Sequence, residues 1–415
     1  MNNDSTDGSG SGIPAMKPPT EVLPETIAVG PKTVKRRTLG TYFKGAVNSL
    51  RFLLGREIHY YRKRPVDALF FVTYRCTSHC RTCTLWQRCD SAGEMSLDEW
   101  KRAVDMCGDM GVKGVELFGG DALLRLDVLI PLVAYIKSKD GMEADLVTNS
   151  NLLTDDVARQ LVEAGIDDIW FSIDGVSSWH NKIRGRDDAF DRVDKAIDAV
   201  LRARGGRQCP RVRANTTISN LNYDHFDEVL AYAESKGMDF LHCEYAGEFW
   251  DELLDQSVID GIRPNPYFIR QEGRSILVTA EQARIIKAKL EQMKKDVRRM
   301  RISLQAENVD RLTIGQMTTG LCDNRRCYIT RTKVTIDPRG NITGCGFFGD
   351  WILGNIRERQ LRDIWDNDRH RRFMKHFADR DMNICDHCIM GVQRNPNLWQ
   401  GLRNHLNQAL GRVRS

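Results

Sequence analysis

The sequence predicts an α/β protein: a partial, TIM-like (β/α)6 barrel followed by a small α+β unit. Three observations carry that expectation. Between residues 66 and 245, six strand-like runs alternate with helical patterns, which indicates a parallel sheet. The residues capable of chemistry fall just after these strands, where such barrels gather their active sites. Beyond residue 321 the pattern changes to short strands, a hairpin turn and clustered cysteines.

Composition narrows the class. A chain of 415 residues, 41% hydrophobic and 28% charged, suits a globular protein of two or three domains. No apolar run approaches the roughly 20 residues of a membrane span, and the polar N-terminus lacks the apolar core of a signal peptide. The twelve cysteines are clustered, so they read as metal or cluster ligands in a reducing, cytoplasmic compartment rather than as disulfides. A net charge of +5 is too small to point to a nucleic-acid partner.

Taken in order, residues 1–36 are Gly-, Ser- and Pro-rich and read as a disordered tail. Residues 37–64 form a basic amphipathic helix, with Tyr42, Phe43, Leu50, Leu54, Ile58 and Tyr61 at helical spacing and Pro65 as its stop. Such a helix lies in a membrane interface or packs on a barrel. A second basic amphipathic stretch occupies 393–415. Together these ends add the inner face of the membrane as a candidate partner surface for a cytoplasmic protein.

The barrel, 66–245, has strand candidates at 67–74, 114–119, 142–148, 168–173, 211–219 and 239–244. Helical patterns lie between them at 96–110, 127–138, 154–164, 188–203 and 223–236. Ser96 and Glu99 form a capping box at the first helix, and Thr154 opens the third. Residues 246–321 read as a helical bridge that covers the site, and 322–392 as the small α+β domain.

The first strand leads into Cys76-Thr77-Ser78-His79-Cys80-Arg81-Thr82-Cys83. Three thiolates within eight residues can wrap one corner of an iron–sulfur cluster and leave a fourth iron open to a ligand; read alone they can also form half of a zinc site. Gly119-Gly120-Asp121-Ala122 follows the second strand, Thr148-Asn149-Ser150-Asn151 the third and Ser172-Ile173-Asp174-Gly175 the fourth. Further on stands His180-Asn181-Lys182-Ile183-Arg184-Gly185. Each alone reads as a polar strand-to-helix turn.

In register, these elements resemble the radical S-adenosylmethionine (SAM) superfamily over roughly 66–245. The Cys-x3-Cys-x2-Cys spacing is its signature, and the others match its Gly-Gly-Glu-Pro, Thr-Asn-Gly/Ser and Ser-Ile/Leu-Asp-Gly elements. Asp121, Ala122 and Thr82 depart from the usual Glu, Pro and large apolar residue. The resemblance implies a [4Fe–4S] cluster on Cys76, Cys80 and Cys83, and SAM held by Gly119, Gly120, Asp121, Asn149, Ser172 and Asp174. It further implies that one electron cleaves SAM to methionine and a 5′-deoxyadenosyl radical, which takes hydrogen from a substrate.

The C-terminal third carries Cys327, the hairpin signal Asp337-Pro338-Arg339-Gly340, Cys345, and Cys385-Asp386-His387-Cys388. Four such cysteines close a zinc or a [4Fe–4S] site equally well. Behind this barrel they resemble a SPASM/twitch auxiliary domain, implying a second [4Fe–4S] cluster on Cys327, Cys345, Cys385 and Cys388, with Cys322 as an alternative to Cys327. No cysteine follows Cys388, so one auxiliary cluster, the twitch form, is expected.

The implied function is radical SAM chemistry on a small-molecule, sugar or lipid-linked substrate, completed as an oxidation or rearrangement with the second cluster. A reductase such as flavodoxin or ferredoxin is the implied electron donor. Two alternatives stand beside it: a peptide-modifying enzyme of ribosomal-peptide maturation, and a non-enzymatic zinc-binding protein. No catalytic acid or base is singled out. Glu244 and Tyr245, ending the sixth strand, are candidates for the substrate side.

Overall fold

A computed structural model describes residues 54–55, 57–324 and 326–394. The expected tail at 1–36, most of the 37–64 helix and all but the start of 393–415 lie outside the described residues. One sheet of ten strands organises the molecule. In the barrel its strands are β1 (Asp67–Thr73), β2 (Gly114–Gly119), β3 (Glu143–Thr148), β4 (Asp168–Ser172), β5 (Arg211–Ile218) and β6 (Phe240–Tyr245). All six are parallel and adjacent in chain order.

Period-two patterning explains the two faces. In β2 to β5 buried residues alternate with half-buried ones. Val115, Leu117, Ala144, Leu146, Ile169, Phe171, Val212 and Ala214 belong to the fully packed core. The intervening Glu116, Asp145, Trp170, Asn215 and Thr217, with His242 and Glu244 of β6, line the lumen. The outer layer is α1 (Leu97–Asp109), α2 (Leu126–Lys137), α3 (Asp155–Glu163), α4 (Ser178–Arg184), α5 (Ala189–Arg204) and α6 (Glu228–Lys236). The Ser96–Glu99 capping box forms as expected, and Thr154 caps α3 by accepting from Val157 N–H.

Two helices differ from expectation. The pattern at 223–236 yields a helix only from Glu228. Asn222 is spent as a staple: its Nδ2 donates to the carbonyls of Asp174 and Thr217 at 2.7 and 3.0 Å, and its Oδ1 accepts from Ser219 N–H. That side chain holds 219–227 in turns. The short α4, unforeseen as a helix, carries the His180-to-Gly185 motif.

The sheet continues past both ends of the barrel. β7 (Ser303–Gln305) extends it beside β6, following α7 (Ala280–Asp296). On the other edge β8 (Lys333–Ile336) pairs in parallel with β1, and β9 (Asn341–Thr343) and β10 (Ile352–Asn355) follow antiparallel. The cysteine-rich hairpin is therefore an extension of the barrel sheet. α8 (Asp368–Asp379) packs Phe373 behind it, against Phe348 and Trp351.

The described end of the basic amphipathic helix packs on this C-terminal region. The Tyr60 ring lies 4.7 Å from that of Tyr328, and the Arg326 guanidinium stands 4.5 Å over Tyr60 and 2.8 Å from Glu57. Trp365 Nε1 donates to Lys63 O at 2.7 Å. Leu54, Ile58 and Tyr61 remain exposed. No helix among the described residues is long and apolar enough to cross a membrane.

Candidate functional site

Strand ends converge on the three-cysteine loop. Adjacent chains approach so closely that a Cβ on Gly119 would stand 2.2 Å from Thr73 O, and one on Gly120 would stand 2.2 Å from Arg75 O. These two glycines let the end of β2 sit against the start of the loop. Gly120 N–H donates to Thr73 O and Asp121 N–H to Arg75 O, at 2.9 and 2.8 Å.

The predicted SAM residues fall into two groups. Gly119, Gly120, Asn149 and Ser172 line a cavity of about 520 Å3 together with Cys76, Cys80 and Cys83. Asp121 and Asp174 are buried behind it. Asp121 accepts from Thr77 Oγ1 at 2.5 Å and caps a turn at Leu123 N–H, and burial raises its pKa. Its carboxylate braces the cysteine loop. Asn149 reaches the same loop, with Nδ2 3.2 Å from Thr77 Oγ1 and 3.7 Å from Cys76 Sγ. Asn151, at the end of the same stretch, donates to Thr77 and Ser78 at 2.9 and 2.8 Å.

Asp174 is ion-paired with Arg184 at 2.7 Å and accepts from Thr217 N–H at 3.0 Å. Burial raises the pKa of Asp174, partly offset by Arg184. The same guanidinium donates towards Cys80 Sγ at 3.8 Å. The motif ending in Gly185 docks on the loop through the C-terminal end of α4: His79 N–H donates to Arg184 O and Arg81 N–H to Ile183 O. A Cβ on Gly185 would strike His79 O at 2.4 Å. Arg184 was within reach of sequence reasoning through this motif; its contact with Cys80 was not.

Each loop sulfur has a donor: Ser78 N–H on Cys76 at 3.4 Å, Arg184 on Cys80, and Leu85 N–H on Cys83 at 3.4 Å. Desolvation pushes the thiols up, Cys76 to about 11 and Cys83 to about 12, and the sulfurs raise one another. Buried thiols with N–H donors aimed at the sulfur suit a thiolate-bound iron centre, where a cation supplies what desolvation removes. Thr82, Leu85 and Trp86 line the same cavity.

The second set also converges. Cys327, Cys345, Cys385 and Cys388 line one chamber walled by Phe347, Phe348, Phe373 and Phe377. Burial raises Cys345 to about 12 and holds Cys385 and Cys388 well above the ordinary thiol value, with neighbouring sulfurs adding to the effect. Phe347 N–H donates to Cys345 Sγ at 3.5 Å. Cys322 lies apart from this chamber, its thiol 3.5 Å from Gly320 O. Among the described residues no three His, Cys, Asp or Glu converge on one point closely enough for a single metal ion. The thiols ring a volume instead.

The two sites share a wall. Cys345, Phe347 and Ile329 line both the chamber and the barrel cavity. Lys333 of β8 also enters the lumen, 2.5 Å from Glu116. Tyr267, from the segment least readable in the sequence, hangs into the cavity among Phe71, Phe118, Phe268 and Phe347. Its phenol is held well above the ordinary value by burial, with Cys83 and Cys345 among the neighbours that raise it.

Comparison with known proteins agrees with this geometry. The radical SAM superfamily model matches residues 70–233, and the model of an iron–sulfur cluster-binding domain, SPASM, matches 327–389. The chain is 27% identical to the AdoMet-dependent heme synthase of Methanosarcina barkeri, covering 66% of this chain and 74% of that one. It is 25% identical to the PqqA peptide cyclase of Xanthomonas axonopodis pv. citri, covering 73% and 74%. Its fold resembles that of Streptococcus suis SuiB bound to precursor peptide SuiA, with TM-score 0.56 at 15% identity over 83% of this chain and 74% of that one. It also resembles anSMEcpe with bound AdoMet, with TM-score 0.58 at 16% identity over 84% and 99%. Family models and geometry agree that this chain belongs to the radical SAM superfamily and carries a C-terminal SPASM-type iron–sulfur domain.

Proposed function

We propose that this enzyme takes hydrogen from a compact, polar substrate held between two iron–sulfur clusters, one on Cys76, Cys80 and Cys83 and one on Cys327, Cys345, Cys385 and Cys388. The observation that carries the reading is the single cavity of about 520 Å3 lined by the first three cysteines and by Cys345. That volume is within the ordinary range for one small-molecule site, roughly 300–1,000 Å3. SAM would take part of that volume, which leaves room for a small reacting part of the substrate: a sugar ring, a small metabolite or one side chain. The bound cluster and SAM supply the radical chemistry.

The chain's own residues do the remaining work. Asn149, Asn151 and Asp121 brace the loop through Thr77. Arg184 places positive charge beside Cys80. Lumen groups Glu244, Asn215 and Thr217, joined by hydrogen bonds of 3.1 and 3.3 Å, form a polar rack for substrate hydroxyl or amino groups. Tyr267 and the phenylalanines around it exclude water from the shared wall. Cys327, Cys345, Cys385 and Cys388 would hold the second cluster, which would supply an electron acceptor for an oxidation. Cys345 and Phe347 line both that chamber and the cavity, and a flavodoxin- or ferredoxin-type reductase would supply the electron for the first site.

A peptide substrate is the second reading, favoured by the likeness to a PqqA peptide cyclase. One experiment separates the two. Anaerobically purified protein is assayed for cluster absorbance near 400 nm and for 5′-deoxyadenosine formation from SAM and reductant. Aqueous, lipid and peptide extracts of a deletion strain are then compared with wild type. A changed aqueous metabolite or lipid-linked sugar, restored by the wild-type gene but not by Cys76→Ala, supports the first reading. A changed peptide mass supports the second, and a colourless protein that leaves SAM intact rules out both.

A further inference from the structure

The segment Asn265–Gln271 touches both cysteine loops. At one end Asn265 N–H donates to Phe347 O at 2.9 Å, and Asn265 Oδ1 accepts from Gly349 N–H at 2.7 Å, both just beyond Cys345. In the middle Tyr267 O accepts from Thr84 N–H at 2.8 Å, next to Cys83. At the other end Gln271 Nε2 lies 3.1, 3.1 and 3.2 Å from the carbonyl oxygens of Cys80, Arg81 and Cys83. The segment is anchored as well. Arg270 pairs at 2.9 Å with buried Glu248, which also accepts from Ser275 Oγ and Ile276 N–H at 2.7 and 2.8 Å.

We propose that Gln271 is a positioning residue for the three-cysteine loop, and that the Asn265–Gln271 strap couples this loop to the Cys345 loop. Three carbonyls of one irregular loop converge on one side-chain nitrogen that has only two protons to share among them. The opposite amide orientation would face an oxygen to three oxygens, so the hydrogen-bond network fixes the nitrogen inward. Drawing these carbonyls together orients the peptide planes of 80–83, and with them the Cα–Cβ directions from which the Cys80 and Cys83 sulfurs extend. Because the strap's other end is bonded to Phe347 and Gly349, a shift at one loop is carried to the other through one short, anchored segment. The iron readout below rests on the ligand assignment proposed above; the other readouts do not.

The test compares full-length wild type with Gln271→Ala, Gln271→Glu and Asn265→Ala. Metal-free protein is followed by amide hydrogen exchange and by iodoacetamide labelling of individual cysteines. Reconstituted protein is followed by iron retention against a chelator and by the electron paramagnetic resonance spectrum of the reduced protein. In Gln271→Ala, exchange over 80–85 and labelling of Cys80 and Cys83 rise about three- to tenfold, the effect of one net hydrogen bond on local opening. Gln271→Glu, with a carboxylate facing carbonyls, rises further and sheds iron fastest. Exchange over 345–349 rises in both, Asn265→Ala raises exchange over 80–85, and β3 and α3 keep wild-type protection as the internal reference. Unchanged exchange at 80–85 in both Gln271 variants overturns the positioning role; changes confined to the mutated end overturn the coupling. A chain that binds no iron yet shows this exchange pattern would sink the cluster assignment and leave the strap standing.

Discussion

The two cysteine sites use the same thiol chemistry in opposite surroundings. Around Cys76, Cys80 and Cys83 stand Asn149, Asn151, Thr77, Asp121 and Arg184, and the loop faces a cavity. Around Cys327, Cys345, Cys385 and Cys388 stand four phenylalanines, and the chamber is apolar. A polar, three-thiol site keeps a coordination position and hydrogen-bonding groups for a ligand. A greasy four-thiol site spends its ligands and excludes solvent, which suits storing or passing an electron. Under the proposed function, the difference would separate a place where bonds change from a place where charge moves.

The most severe way to break this comparison is to remove one sulfur from each side. Cys80→Ala is expected to bring SAM cleavage to background while the auxiliary iron remains, measured by 5′-deoxyadenosine formation and iron content. Cys385→Ala is expected to keep SAM cleavage and lose substrate conversion. If Cys385→Ala also abolishes SAM cleavage, the division of labour is wrong.

Arg184→Ala sharpens the polar side. It strands the buried Asp174 carboxylate, and breaking such a pair costs about 3–5 kcal/mol. Urea unfolding of the metal-free protein measures this, and adding Asp174→Asn should return part of the loss.

The lumen beneath the loop gives a pH signature. Burial, with Asp168 and Glu116 nearby, raises Asp145 to about 7. An acid whose folded pKa is raised binds more protons in the native state, so stability falls as pH rises from about 4 to about 7. Asp145→Asn should flatten that slope by about 1–2 kcal/mol in urea unfolding across this window, a discounted share of the linkage. An unchanged slope would show that Asp145 titrates normally.

The smallest expected effect is on the apolar side. Tyr60→Ala opens the contact of Tyr60 with Arg326 and Tyr328, the residues flanking Cys327. About 1–2 kcal/mol of local stability is at stake, read as faster alkylation of Cys327 in metal-free protein with Cys80 unaffected. Tyr60→Phe, which keeps the ring and loses only the hydroxyl beside Arg326, should show a smaller rise.

Much of the site was legible because its chemistry is local. Cys76 to Cys83 is one continuous loop, and the glycines after β2 announce a close approach wherever they fold. Asp121 shows the limit. The resemblance implied a SAM contact for it, and the structure adds a hydrogen bond from Thr77, forty-four residues away in sequence, that no local pattern announces. Gln271 and Tyr267 could not be seen at all, since a loop residue carries no periodicity and its partners lie about 190 residues upstream.

By itself the sequence determined the alternating strands and helices, the capped starts of α1 and α3, and two sets of cysteines with ligand spacing. These follow from side-chain period, turn chemistry and short-range spacing, which act within a few residues. Only the tertiary structure decided that β8 joins β1 in one sheet, so that Cys345 shares a wall with the barrel cavity. It also decided that Arg184 lies on Cys80 and that one strap bridges both loops. Those contacts join residues far apart in the chain, and their partners exist only once the core has closed.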